Sequence, residues 1–279
     1  MVTPTPNAQL RRESLLFYWI KSALRRHAEP LNVRIDDRVV SQRGGYAIPQ
    51  QVFQTWETRY TGKTHASSLA ALRALNPTLS FYLYDAQKRD DYMQTRWGDH
   101  PISSIYFNAK FGPLKADLFR YCILFDRGGY YLDFNKDCFR PLNAIHKPEH
   151  LGFILFEDTD CYIPPYSEHH LQLKQPFNHL SQWILGFSPG HSFLKLLIDR
   201  ICDAYPLFKG RVFHHPKLAI LNFTGPGMYT SVMREYLAKN GLSDLQQANP
   251  PRSMTMRGAK ILRTVNRHYS NQINSIIVA

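Results

Sequence analysis

Three oxygen-bearing side chains at alternate positions, Asp133, Asn135 and Asp137, follow a short apolar run, Tyr130 to Leu132, which itself follows Gly128-Gly129. Side chains spaced this way on a loop can share one hard cation. Mg²⁺ and Mn²⁺ take one or two protein oxygens and complete their shells with phosphate and water. A cation held there neutralises a departing diphosphate as a Lewis acid. Asn135 stands where a second carboxylate would add charge. Its amide oxygen can still ligate, but weaker metal binding is expected before a phosphate arrives, and Asp137 is an alternative donor. Taken alone, Asp-x-Asn also reads as an Asx turn after a strand. Upstream, Asp117 and Arg120 are three apart and share a helix face. They read either as a surface ion pair, or as a site in which Asp117 accepts sugar hydroxyls and Arg120 holds sugar and phosphate. The planar guanidinium fork suits such oxygens.

These residues need elements to hold them. Pro113 opens a helix whose apolar stripe is Leu114, Leu118, Cys122 and Phe125. Gly128 is a left-handed stop, and Gly129 turns the chain into the strand that delivers Asp133. Ile48 to Trp56 reads as a first strand with Pro49 at its start. A helix over 67–75 ends at Asn76-Pro77, a strand follows over 79–84, and a helix over 86–97. Further strands are expected over 152–157, 183–187 and 260–265, and helices over 191–204 and from Thr224-Gly-Pro-Gly227 to about 239. That second helix start either faces an anion with its free N–H groups or is simple capping. Trp183 and Tyr229 line an acceptor side or fill core. Strands alternating with helices predict an α/β fold with a largely parallel sheet. Ligands collect at the carboxyl ends of such strands, where both Trp56 and Asp133 fall.

A chain of 279 residues supports one large domain, with residues 1–45 expected to be a tail and basic helix and 46–279 the folded domain. Residues 30–47 read as a linker. The formal net charge of +12 suits nucleic acid, anionic lipid or a nucleotide diphosphate. The charge is dispersed and no zinc-finger or RNA-binding signature appears, so nucleic acid is not expected. Residues 10–26 carry an apolar run, Leu15 to Ile20, between two arginine pairs. They read either as an amphipathic helix on an anionic membrane or as a helix packed on the domain. Four cysteines at no metal-like spacing point to reduced thiols in the cytoplasm.

The motifs resemble glycosyltransferase family 32, whose sugar-binding region contains an Asp-x-Asp motif. Matching pieces are Ile48-Pro-x-x-Val-Phe-Gln-Thr-Trp56, Asn76-Pro77, Asp117-x-x-Arg120, Gly128-Gly-x-Tyr-Leu-Asp133, Ser188-Pro-Gly-His191 and Thr224-Gly-Pro-Gly227. The resemblance implies a GT-A fold and a retaining enzyme that moves a hexose from a UDP- or GDP-sugar to a glycan or lipid-linked glycan, with Mn²⁺ or Mg²⁺. It implies that Trp56 stacks on the base, that Asp117 and Arg120 bind the donor sugar, that Asp133 sits between metal and ribose, and that Asn135 is a direct metal ligand. His268, in Arg267-His268-Tyr269-Ser270, partly matches a family histidine and is a candidate metal or diphosphate contact. Phe53 stands where many members carry His. A weakened domain that only binds nucleotide sugar or glycan, and an effector that glycosylates a host protein, are the alternative readings.

Overall fold

The computed structural model describes residues 29–41, 44–157, 180–248, 254–259 and 272–279. A six-stranded mixed sheet runs through it. Its strands in chain order are β1 (Gln51–Thr55), β2 (Ser80–Tyr84), β3 (Gly129–Leu132), β4 (Gly152–Leu155), β5 (Ile184–Phe187) and β6 (Leu245–Ala248). In space the order is β6-β4-β5-β3-β1-β2. Pairings β6–β4, β3–β1 and β1–β2 are parallel, whereas β5 runs antiparallel to both β3 and β4. This is the α/β arrangement expected of a GT-A fold, with one strand reversed.

Alternation along each strand assigns side chains to two cores. Phe53, Tyr131, Ile154 and Leu185 enter one face, with Leu114, Leu118, Cys122 and Phe193 from the helices. Val52, Tyr130, Phe153, Leu155 and Ile184 enter the other, with Leu69 and Leu72. A sheet covered on both faces needs apolar residues at every strand position, which is why Gly129–Leu132 and Gly152–Leu155 read as unbroken apolar runs.

The helices are α1 (Lys63–Leu75), α2 (Ala86–Trp97), α3 (Pro101–Asn108), α4 (Gly112–Arg127), α5 (Ser192–Phe208), α6 (Pro216–Phe223) and α7 (Pro226–Asn240). Asp85 caps α2 by accepting from Lys88 N at 2.9 Å. The expected stripe on α4 is too narrow: the helix is buried without a break from Asp117 to Leu124, on every side. It therefore packs as an interior helix. It stops where anticipated, with Gly128 at φ 61° and Gly129 at φ 103°. A Cβ on Gly128 would also meet Pro189 Cδ at 2.5 Å, so only glycine suits the turn that aims β3.

The segment read as a linker packs on the domain. Val33–Arg34 pairs with Tyr60–Thr61, and the Arg38 guanidinium donates to the carbonyls of Arg73 and Asn76 at the end of α1 and of Leu79 just before β2. The Arg73 and Asn76 carbonyls lie past the last i→i+4 bonds of the helix, and a cation there also suits its dipole. Helices α3 and α6 and strand β6 were not anticipated. The basic helix over 10–26 and the strand over 260–265 lie outside the described residues. Among the described residues no helix is long and apolar enough to cross a membrane, and Cys122, Cys138 and Cys202 are free thiols.

Candidate active site

A cleft of about 1040 Å³ opens along one edge of the sheet. Trp56 follows β1, Ala86 follows β2, Asp133 follows β3 and Glu157 lies just beyond β4, while Gln182 and Trp183 precede the reversed β5; all line the cleft. Strand carboxyl ends are the common ligand edge of such sheets. Reversal of β5 brings its amino end to the same place.

The floor is an ionic triad of two buried members, Asp117 and Arg120, and one open to the cleft, Asp133. Asp117 and Arg120 are each 5% exposed, so the surface-pair reading is excluded. Arg120 Nη2 lies 3.2 Å from Asp117 Oδ1 and 3.3 Å from Asp133 Oδ1. Arg120 Nη1 donates to Gln182 O at 2.8 Å, and the guanidinium stacks on Tyr131, 4.5 Å from the ring centroid. Thr224 Oγ1 donates to Asp117 Oδ2 at 3.0 Å. Thr224-Gly-Pro-Gly227 thus reaches the site through a hydroxyl, and α7 starts behind it at Pro226.

Burial pushes the Asp117 carboxyl up to about 6, against the opposing pull of Arg120 and of the Thr224 hydrogen bond. For Arg120, burial works against the charge, but Tyr131, Asp133 and Asp117 outweigh it and hold the guanidinium protonated. Because the folded carboxyl titrates above the unfolded one, ionising Asp117 costs stability: its favourable contribution is present on the acid side and lost as pH rises through about 6. The effect on turnover has the opposite sign. If Asp117 accepts a sugar hydroxyl as a carboxylate, the rate at subsaturating donor falls as pH drops through about 6. In a pH profile, Asp117→Asn is expected to be slow throughout and to lack that limb.

The metal candidates separate. Asp133 and Asn135 line the cleft. Asp133 N is held by Trp183 O at 2.8 Å, and Asn135 O accepts from Met256 N at 2.8 Å. Asp137 is not among the residues lining the cleft; its Oδ1 accepts from Cys138 N at 2.8 Å, and its backbone pairs with Met254. The tight turn after β3 spends that carboxylate locally. His268 lies outside the described residues. No group of three His, Cys, Asp or Glu among the described residues is arranged to hold a metal ion. One carboxylate and one amide oxygen nevertheless fit the limited protein donor set that Mg²⁺ or Mn²⁺ uses with a diphosphate. With Asp117 ionised, the triad carries a net negative charge that a cation would offset.

Trp56 is half-buried on the cleft wall, with its ring stacked on Phe134 at 6.0 Å between centroids. Phe134 O is in turn 3.0 Å from His65 Nε2. A carbonyl only accepts, so that nitrogen carries hydrogen, and burial lowers the His65 pKa to about 4, keeping the ring neutral. His65 thereby pins the loop between Asp133 and Asn135. Phe53 is fully buried, stacked on Tyr82, and does not reach the cleft. Tyr229 is core, parallel to Tyr121, whereas Trp183 lines the cleft.

Two groups were missed from sequence. Glu157 enters the cleft and its Oε1 accepts from Trp183 Nε1 at 2.8 Å. It follows an apolar strand just as Asp133 does, a signal that was available. Arg89 is buried beside the cleft, donating to Tyr106 OH at 2.9 Å and Thr55 Oγ1 at 3.0 Å and facing Glu57 at 3.5 Å. Nothing in the polar pattern of α2 distinguished it.

Comparison with known proteins agrees with the motifs. Residues 50–151 match the family described as "Glycosyltransferase sugar-binding region containing DXD motif". The initiation-specific alpha-1,6-mannosyltransferase of Schizosaccharomyces pombe is 25% identical over 173 residues, 59% of this chain and 43% of that protein. The inositol phosphoceramide mannosyltransferase 3 of the same yeast is 25% identical over 181 residues, 64% of this chain and 43% of that protein. The chain thus spans about half the length, or less, of these relatives. A solved structure, the PaToxG glycosyltransferase, superposes with a TM-score of 0.48 at 11% identity, covering 68% of this chain and 70% of its own. Across residues 50–151, then, the chain is similar to the sugar-binding region with a DXD motif found in glycosyltransferases.

Proposed function

We propose that the protein is a retaining glycosyltransferase that moves a hexose from a UDP- or GDP-sugar to a hydroxyl of a glycan or lipid-linked glycan. The observation that carries this reading is the Asp117–Arg120–Asp133 triad at the floor of a cleft of about 1040 Å³. Trp56 offers its face to the base. Asp117 accepts donor hydroxyls, and Arg120, locked by Tyr131 and Gln182 O, presents fixed positive charge to the sugar and its phosphate. Preorganised charge of this kind stabilises a leaving group without reorganisation. Asp133 and Asn135 would hold Mn²⁺ or Mg²⁺, which when bound supplies Lewis-acid neutralisation of the diphosphate. Trp183 and Glu157, joined by a hydrogen bond and also lining the cleft, are assigned to the acceptor. A cytoplasmic location with peripheral membrane contact is part of this proposal.

The test is a panel of UDP- and GDP-sugars with Mn²⁺, read as free nucleoside diphosphate, with the product anomer read by NMR. Release from none of the panel would remove the transferase. Asn135 favours a second reading, a domain that binds nucleotide sugar without turning it over; tight donor binding with no release would support it. Asn135→Asp adds the missing charge. It is expected to tighten Mn²⁺ binding at least about fivefold in calorimetry with nucleoside diphosphate present, since one more nearby unit charge is worth about 1 kcal/mol or more. Unchanged affinity would show that the side chain at 135 is not a ligand.

A further inference from the structure

One lip of the cleft differs in chemistry from its floor. Val212–Phe213, after α5, pairs antiparallel with Ser275–Ile276, with Val212 opposite Ile276. On the other side the same C-terminal stretch is tied to the turn between α3 and α4, where Lys110 N donates to Ile277 O at 3.0 Å and Ala279 N to Asn108 O at 3.1 Å. Gly210 N closes the third side by donating to Val278 O at 2.9 Å. These three segments form one continuous surface. Ser275 and Ile276 also line the cleft, so the surface is its lip.

Opposed residues of an antiparallel pair project to the same face, which places Val212 beside Ile276 in solvent. Val212 is 62% exposed, Ile273 61% and Leu207 56%. Scattered exposed aliphatics are ordinary, but a cluster beside a cleft marks an interaction surface. Its charge is one-sided. Lys110, Lys209, Arg211 and Lys217 are exposed, and segments 100–116, 204–223 and 272–279 contain no Asp or Glu. The chain has none at all after Asp244. The nearest acid along α5 is Asp203, one turn before Leu207.

Aliphatic tips among cations that no carboxylate of the same three segments offsets combine the two attractions that hold a protein on an anionic bilayer: apolar burial at the headgroup boundary and electrostatic pull from acidic lipids. A polyanion in solution would engage the lysines and leave Val212, Ile273 and Leu207 without a partner. We propose that this lip docks on an anionic membrane surface and presents the cleft mouth to an acceptor carried in that surface. Docking stands on the lip alone; delivery of an acceptor rests on the transferase reading.

The test uses the full chain and vesicle co-sedimentation. Strong partitioning onto phosphatidylcholine vesicles containing phosphatidylserine is expected, with loss at high salt, where charges are screened within about 3 Å. Pure phosphatidylcholine should bind at least about tenfold less. Two double variants, Val212→Ser with Ile273→Ser and Lys209→Glu with Arg211→Glu, change residues outside the cleft lining. Each is expected to lose at least about tenfold in partitioning while keeping its thermal midpoint and donor hydrolysis. No binding by the unaltered protein would overturn the proposal. So would variants that partition like the parent, which would hand membrane contact to residues 10–26, and so would a lip that retains heparin but ignores the vesicles. Donor hydrolysis is scored separately in solution. Its absence with vesicle binding intact defeats the transferase alone, and the converse defeats docking alone.

Discussion

An Asp133→Ala protein is expected to release nucleoside diphosphate roughly 10²–10³ times more slowly than its parent, the loss typical of removing one preorganised charge contact. Asp133 is the carboxylate that both faces Arg120 and lies open to the cleft, with its side chain 30% exposed. Its removal takes away the anionic donor beside Asn135 and leaves that amide as the remaining ligand candidate of the loop. Folding should be little affected, because the backbone of Asp133 keeps its bond to Trp183 O and Arg120 keeps Asp117. Asp137→Ala is the matched control. Its carboxylate is turned onto the Cys138 amide, so turnover should change by less than about threefold, under about 1 kcal/mol. Equal losses in the two variants would place the catalytic carboxylate elsewhere. Unchanged turnover in Asp133→Ala would end the mechanism.

Arg120→Met is expected to damage both folding and catalysis. It removes the cation from between two acids and leaves Asp117 buried without a charge partner. Breaking a buried pair from one side costs about 3–5 kcal/mol, measurable as a lower urea midpoint with unchanged slope. Asp117 would then titrate still higher. The companion double variant, Arg120→Met with Asp117→Asn, should recover much of the stability and none of the activity, since the buried charge has gone but so has the fixed cation. Additive losses in that cycle would mean that the two side chains are not coupled. Arg120→Lys should not restore turnover either. A lysine cannot serve Asp117, Asp133 and Gln182 O from one plane while stacking on Tyr131.

What could be read from the chain was local. The stop at Gly128-Gly129, the strand after it and the acid at its end depend on residues within one turn of each other, and these emerged as expected. Asp117 and Arg120 were placed on one face, but their burial was not visible, because it comes from Gln182 before β5 and Thr224 at the α6–α7 junction closing over α4. Helices α3 and α6 have only 8 residues each and open on proline without marked periodicity. Strand β6, Leu-Gln-Gln-Ala, is a half-polar edge strand that looks like loop. The direction of β5 is not encoded in its own four apolar residues at all; it follows from which neighbours remain unpaired. Glu157 and Arg89 gained their meaning the same way, from strands and helices distant in sequence that converge at one edge.

The reversed strand also bears on how this scaffold can diversify. Phe156 bridges to Leu180, so the end of β4 and the approach to β5 meet at a doorway close in sequence to Trp183. Lengthening a connection whose ends already meet is inexpensive, about 0.6 kcal/mol for each doubling, and need not shift any strand. Whole insertions could therefore be exchanged at that doorway, reshaping the cleft wall beside Trp183 while the ionic floor beneath stays intact.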